Sequence, residues 1–191
     1  MTKSKKFNIK KLEKLNNPER LKSLNPELIL ENLNLPTPEV IVDIGAGTGF
    51  FASHFAKIIK QGTIYAFDTS DVMIDYMKEN LHQVGSCKII PVKSQENKIP
   101  LDNNIADLVY LINVYHELEE PKKLVLETKR ILKKGGKIAI IDWDYKETPD
   151  GPPLEHRIQA ENITKLLKEI GFSDIYKNNV LPYHYLITAI S

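Results

Sequence analysis

Three glycines, at positions 45, 47 and 49, stand in the run Val40-Ile-Val-Asp-Ile-Gly-Ala-Gly-Thr-Gly-Phe50, where a strand-like apolar stretch turns into one of helical period. A ligand at such a turn can approach bare backbone, because glycine has no Cβ to hold it off. The spacing then narrows the choice of ligand. Phe50 occupies the place where a dinucleotide-binding loop needs its third glycine, and a phosphate-cradling loop would need a four-residue gap and a following lysine that are absent here. Asp43 lies two residues before Gly45, where its carboxylate repels a pyrophosphate and attracts a cation. Asp68 lies 19 residues beyond Gly49, near the spacing at which an acidic side chain reaches ribose hydroxyls. Together these residues point to a nucleoside that carries positive charge. Asp68 also suits the cap of a helix starting near Ser70, and the two roles are compatible.

A second group of reactive side chains follows the expected fourth strand, in Asn113-Val-Tyr-His-Glu-Leu118. The carboxyl edge that carries the glycine turn carries this segment too, so His116 and Tyr115 can face the reacting group, with His116 as the candidate base. A helix-cap or packing role for either residue stands beside that reading. Asp142 and Trp143 end the fifth strand on the same edge, and a long loop containing Gly151-Pro-Pro-Leu-Glu-His-Arg157 comes next. Asp142, Trp143, His156 and Arg157 are candidate substrate contacts, since loops of this length often wall a site. Tyr183 and His184 are secondary candidates near the last hairpin. The single cysteine, Cys87, reads as a small core or edge residue, and Asp142 with Asp144 is too sparse a carboxylate set for a metal. No metal site is expected.

The elements that must hold these groups can be read from periodicity. Residues 1–38 contain two Asn-Pro-Glu helix starts, at Asn17 and Asn25, and predict short helices over 18–24 and 26–33 that cap the domain. From residue 39 onward, strand-length apolar runs at 40–44, 63–67, 88–92, 107–112 and 137–141 alternate with helical stretches at 48–60, 71–84 and 121–133. A further helix is expected over 155–170, then strands over 174–178 and 183–190. Their short separation favours a hairpin, so the last strand should run antiparallel. The expected fold is α/β and Rossmann-like, with a seven-stranded, mostly parallel sheet in one domain: residues 1–38 as cap and 39–191 as binding domain.

The segments Val-Asp-Ile-Gly-Ala-Gly-Thr-Gly (42–49), Tyr-Ala-Phe-Asp (65–68), Ala-Asp-Leu-Val-Tyr (106–110) and Lys-Arg-Ile-Leu-Lys-Lys-Gly-Gly (129–136) resemble those of class I S-adenosylmethionine-dependent methyltransferases. The similarity is greatest to the small-molecule branch that includes the ubiquinone and menaquinone C-methyltransferases. The resemblance implies that S-adenosylmethionine is the cofactor, and that its methionine part is wrapped by the segment Asp43, Gly45, Ala46, Gly47, Thr48 and Gly49, with Asn113 nearby. It further implies that Asp68 holds the ribose diol and that Thr69 and Met73 lie beside the adenine. The family's adenine-amino contact after the third strand falls on Ser94 or Gln95, in a stretch one residue longer than usual.

Composition limits the function classes. The 26 Lys and Arg nearly balance the 25 Asp and Glu, so the whole molecule has no field to recruit nucleic acid or an anionic membrane. The lysines at 3, 5, 6, 10, 11 and 14 read as a solvated tail, with RNA contact as their functional alternative. Neither a signal peptide nor an 18-residue apolar span is visible, and a single cysteine suits a reducing compartment, so a cytoplasmic protein is expected. Methyl transfer to a small molecule is the expectation, with an RNA or protein acceptor, or a non-catalytic cofactor-binding role, as alternatives. Oligomeric state is not legible.

Overall fold

A computed structural model describes residues 9–81 and 83–191. Lys3, Lys5 and Lys6 of the expected tail lie outside the described residues. Lys10, Lys11 and Lys14 fall in a helix, α1 (Ile9–Leu15), where Lys14 is exposed. Helices α2 (Arg20–Ser23) and α3 (Pro26–Leu33) follow. Asn25 caps α3 as its sequence predicts: its side chain accepts from Leu28 N–H at 2.8 Å, and Pro26 takes the first helical position.

Strands β1 (Val40–Ile44), β2 (Gln61–Asp68), β3 (Ser86–Lys93), β4 (Ala106–Ile112), β5 (Leu132–Trp143), β6 (Ser173–Asn178) and β7 (His184–Ile190) form one sheet in the order β3-β2-β1-β4-β5-β7-β6. Neighbours among β1 to β5 pair parallel, whereas β7 is antiparallel to both β5 and β6. Helices α4 (Phe50–Ile59), α5 (Asp71–Asn80), α6 (Pro121–Ile131) and α7 (Ala160–Ile170) provide the crossovers.

The two faces have separate cores because strand side chains alternate. Ile41, Ile64, Leu108, Tyr110 and Leu186 pack beneath α3, α4 and α5, through residues such as Ile29, Leu33 and Phe55. Val42, Val109, Leu111, Ile138 and Ile140 pack against Leu124 and Ile131 of α6 and Ile163 and Leu167 of α7. Cys87 is buried in the first of these cores, as a small apolar residue would be.

Three boundaries depart from the sequence reading for local reasons. Gly49 adopts a left-handed φ of 71°, so α4 starts at Phe50 and not at residue 48. Lys133 to Gly136 do not close α6; they already belong to β5, where Lys133 pairs with Asp107 at 2.7 Å. The expected helix over 155–170 is a 3-10 turn, Leu154–His156, separated from α7 by an extended Arg157. Arg157 itself explains the break. Its guanidinium donates to the carbonyls of Pro152, Asp144, Lys146 and Asp150 and to the Thr148 hydroxyl, and so ties down the long loop from within.

That clamp overturns the expectation that Arg157 binds substrate, since each of its five N–H donors already has a partner inside the protein. Arg157→Ala should cost about 3 kcal/mol of stability, because it strands buried acceptors instead of exposing a surface charge. Urea titration measures this, and a loss below about 1 kcal/mol would contradict the clamp.

Candidate active site

The carboxyl ends of β1, β2, β4 and β5 bring together most of the residues named from sequence. The glycine segment leaves β1 and is pinned on two sides: Ala46 N–H donates to Phe67 O, and Gly47 N–H donates to Asp68 Oδ2, each at 2.8 Å. Asp68 Oδ1 accepts from Ser70 N–H at 2.8 Å, so one carboxylate fixes both the glycine turn and the entry to α5, whose cap position is Ser70. An ionised carboxylate has about four lone-pair sites, so Asp68 keeps capacity for two further donors.

The glycines are not equivalent. A Cβ at Gly45 would stand 2.5 Å from Val114 Cγ2, so this glycine lets the turn after β4 pack against the loop. A Cβ at Gly47 would meet only Leu15 Cδ1, at 3.6 Å, leaving a cradle open along the backbone. Around that cradle, Thr48 Oγ1 and Asn113 Oδ1 are buried and lack a hydrogen-bond partner among the described residues. Buried polar atoms are nearly always bonded, so these two stand out at the glycine turn. Asn113 is in the left-handed region, at φ 58°, and is held there by its N–H to Ile141 O.

Asp43 closes the apolar strand in full burial. Burial pushes its carboxyl up to about 7, the neighbouring Tyr110 hydroxyl and Arg20 guanidinium pull it back, and the Asp68 charge adds to the rise. Thr69 is exposed and its carbonyl accepts from Lys93 Nζ, while Met73 is buried one turn into α5. Ser94 N–H extends the sheet by bonding Asp68 O, and Gln95 is exposed in the following turn. Glu96, next in this stretch, instead accepts from the N–H groups of Glu119 and Glu120 ahead of α6.

At the next crossover, His116 and Asp142 form a dyad. His116 Nδ1 lies 2.8 Å from Asp142 Oδ1, and the Asp142 carboxylate also accepts from the backbone N–H groups of His116 and Trp143. This fixes the tautomer that donates from Nδ1 and leaves Nε2 as the basic atom, with Glu117 Oε1 3.8 Å away. Burial would lower the His116 pKa, but the bond and charge of Asp142 outweigh it, with help from Glu117, so the net direction is upward. Asp142 is thus a positioning residue for His116 and not a substrate contact. Tyr115 turns into the α6–α7 core, where burial pushes its phenol up to about 12, so the sequence-based chemical role gives way to packing.

Trp143 packs against His184, ring centroids 4.1 Å apart and planes tilted by 38°, across the β5–β7 register. His156 is exposed on its 3-10 turn and, among the described residues, forms no hydrogen bond with the dyad. His184, only a secondary candidate from sequence, is 1% exposed, and neither ring nitrogen has a hydrogen-bond partner among the described residues. Burial, with Arg157 and Arg20 nearby, pushes its pKa down to about 3. A His whose folded pKa lies below its unfolded value contributes stability that is intact above about 6.5 and lost as pH falls toward 3, with a slope of up to about 1.4 kcal/mol per pH unit. His116 has the opposite sign, its contribution fading as pH rises through its elevated pKa. His184→Phe should therefore flatten the acid limb of stability between pH 6.5 and 4 in urea titrations. An unchanged limb would refute the neutral, buried state of His184.

Arg20 is the residue that sequence reasoning missed outright. Its guanidinium carbon sits 4.8 Å from the Phe51 ring centroid and 5.3 Å from that of Phe50, directly after the glycine turn. A single arginine on a four-residue helix leaves no pattern by which it could have been found. Among the described residues, no three His, Cys, Asp or Glu converge as a metal site, and no helix is long and apolar enough to cross a membrane.

The family described as a methyltransferase domain matches residues 42–140, just over half of the chain. A demethylmenaquinone methyltransferase of Chlamydia pneumoniae is 32% identical over 102 residues, covering 53% of this chain and 43% of that protein. A ubiquinone/menaquinone biosynthesis C-methyltransferase of Wigglesworthia glossinidia brevipalpis is 25% identical over 165 residues, covering 85% and 64%. The chain thus spans less than two thirds of the length of these two relatives. The crystal structure of a SAM-dependent methyltransferase from Aquifex aeolicus matches along nearly its whole length, with a TM-score of 0.87, 32% identity, and coverage of 97% of this chain and 99% of that one.

Proposed function

Because this chain belongs to the class I S-adenosylmethionine-dependent methyltransferases, we propose that it transfers a methyl group to a small, protic acceptor held between the glycine turn and the His116–Asp142 dyad. The cofactor fits the residues present. Thr48 Oγ1 and Asn113 Oδ1 are orphaned polar atoms beside the open cradle at Gly47, suited to the methionine part, and Asp68 retains acceptor capacity for the ribose diol. Thr69, Met73, Ser94 and Gln95 would border the adenine. The family and the relatives' names support a small-molecule acceptor, and the quinone relatives favour an aromatic ring bearing a hydroxyl.

S-adenosylmethionine supplies an electrophilic methyl on a sulfonium, and departure of the sulfur leaves a neutral thioether. The chain's own residues then have two tasks. Alignment of the acceptor atom within about 3 to 3.5 Å of the methyl carbon contributes much of the acceleration. Where the acceptor must lose a proton, His116 Nε2 takes it, and Asp142 steadies the imidazolium that forms. The observation that carries this reading is the dyad itself, a buried carboxylate that fixes the tautomer of a histidine on the edge where the glycine turn lies.

Calorimetric titration of the full chain with S-adenosylmethionine and S-adenosylhomocysteine tests the cofactor, with binding expected for both. A screen of phenols, quinols, amines and thiols for methyl acceptance then tests the acceptor class. Methylation of bulk RNA or protein in place of these compounds would overturn it.

A further inference from the structure

The last two residues of β5 each hold a histidine, and they do so on opposite faces of the sheet. Asp142 continues the face of Ile138 and Ile140, and its Oδ1 lies 2.8 Å from His116 Nδ1. Trp143 continues the face of Ala139 and Ile141, where its register partner on β7, His184, packs against it with ring centroids 4.1 Å apart. The loop holds the indole in turn. The Arg157 guanidinium carbon lies 5.3 Å from its ring centroid, and a Cβ at Gly151 would stand 2.8 Å from Trp143 Cδ2. Packing thus sets the place of His184. The polar groups of the adjoining loop are already bonded: Arg157 takes the carbonyls of Asp144, Lys146, Asp150 and Pro152, and the Asp144 carboxylate accepts from Tyr145 N–H and pairs with Lys146 at 3.1 Å.

A neutral imidazole carries one N–H donor and one bare nitrogen that accepts. In His184 both are buried and neither has a partner among the described residues, which is a costly arrangement unless a bound molecule completes it. A neutral hydroxyl matches either nitrogen, because its oxygen accepts from the N–H and its proton can go to the bare nitrogen. A charged amine or carboxylate matches only one of them, and would lose its hydration in a site this buried. We propose that His184 hydrogen-bonds a second oxygen of the methyl acceptor, one that His116 does not deprotonate, so that an acceptor lying across the end of β5 is held from both faces of the sheet. This rests on the function proposed above. His184 is then a specificity-determining residue: it selects acceptors with a second oxygen and takes no part in the proton transfer at His116 Nε2.

The test is a nuclear magnetic resonance titration of the full chain, labelled with 15N-histidine and saturated with S-adenosylhomocysteine. The probes are phenol and the three dihydroxybenzenes, catechol, resorcinol and hydroquinone, kept free of oxygen; the three isomers sample three spacings of the second hydroxyl. The chain has five histidines, and the His184 signals are those lost in His184→Phe. At least one diol should shift the His184 ring nitrogens and bind roughly tenfold more tightly than phenol, as expected when a buried polar group gains its partner. His184→Phe should bring that diol down to the affinity of phenol and leave phenol little changed. His184→Asn, whose amide keeps a donor and an acceptor, should retain part of the preference. A wild type that binds no diol more tightly than phenol overturns the assignment, and this comparison needs no variant that folds. A diol preference that survives in His184→Phe overturns it too, as does an equal loss of all four probes, since a histidine that only packs against Trp143 or binds a structural water would behave that way. The expected diol preference without methylation of any compound in the acceptor screen is a different result: it keeps the oxygen subsite and removes the proposed function.

Discussion

Asp68→Ala weakens S-adenosylhomocysteine binding by at least about a hundredfold in calorimetric titration, the largest single loss expected in this protein. The magnitude follows from two roles of one carboxylate. Each charge-assisted hydrogen bond is worth roughly 1.5 to 3 kcal/mol, so loss of two ribose contacts alone weakens binding on the order of a hundredfold. The same substitution frees the Gly47 and Ser70 N–H groups, so the glycine turn and the start of α5 lose their common anchor. Asp68→Asn separates the effects, because a carboxamide oxygen can still accept from one of these N–H groups while its NH2 cannot accept from a ribose hydroxyl. The Asn variant should lose less thermal stability than the Ala variant and still bind poorly. Wild-type affinity in either variant would remove Asp68 from the cofactor site.

His116→Ala lowers kcat by about 10² to 10⁴ with the acceptor that the screen identifies, while leaving cofactor affinity within a few fold. Removal of a base and removal of a packing residue are told apart by pH. The competent imidazole is neutral, so kcat/KM in wild type rises with pH through a value above the ordinary histidine pKa, since Asp142 and Glu117 raise it. Asp142→Asn takes away the main cause of that rise, and should shift the limb toward lower pH as well as reduce the rate. A flat profile, or full turnover by His116→Ala, would falsify the assignment.

The fold was readable because its signals are local and repeated. The central strands β1 and β4 are apolar runs buried on two faces, and Val40–Ile44 coincides with its sequence-based bounds to the residue. The convergence of Asp43, the glycines and Asp68 was readable for a related reason: they sit at fixed offsets from strand ends. What escaped notice depends on tertiary approach. Arg20 reaches the glycine turn only because α2 folds over Phe50 and Phe51. Arg157 looked available in sequence because nothing local reveals that the chain from Asp144 to Pro152 curls around its guanidinium. Tyr115 and His116 are adjacent, yet one faces a core and the other the Asp142 carboxylate, a division set by a 3-10 turn that periodicity does not report.

The segment that carries Leu15 over Gly47 has a kinetic side. The four-residue helix α2 that follows is too short to persist without its contacts, so this stretch is held in place chiefly by Leu15 against Gly47, the Asn16–Tyr76 bond and Arg20 over Phe50 and Phe51. Departure of a ligand from the proposed cofactor site beside Gly47 would then require this segment to open, and the expected consequence is that product exit, and not bond-making, limits steady-state turnover. A pre-steady-state burst, one methylated product per site followed by a slower linear phase, is the time course that such a closure imposes.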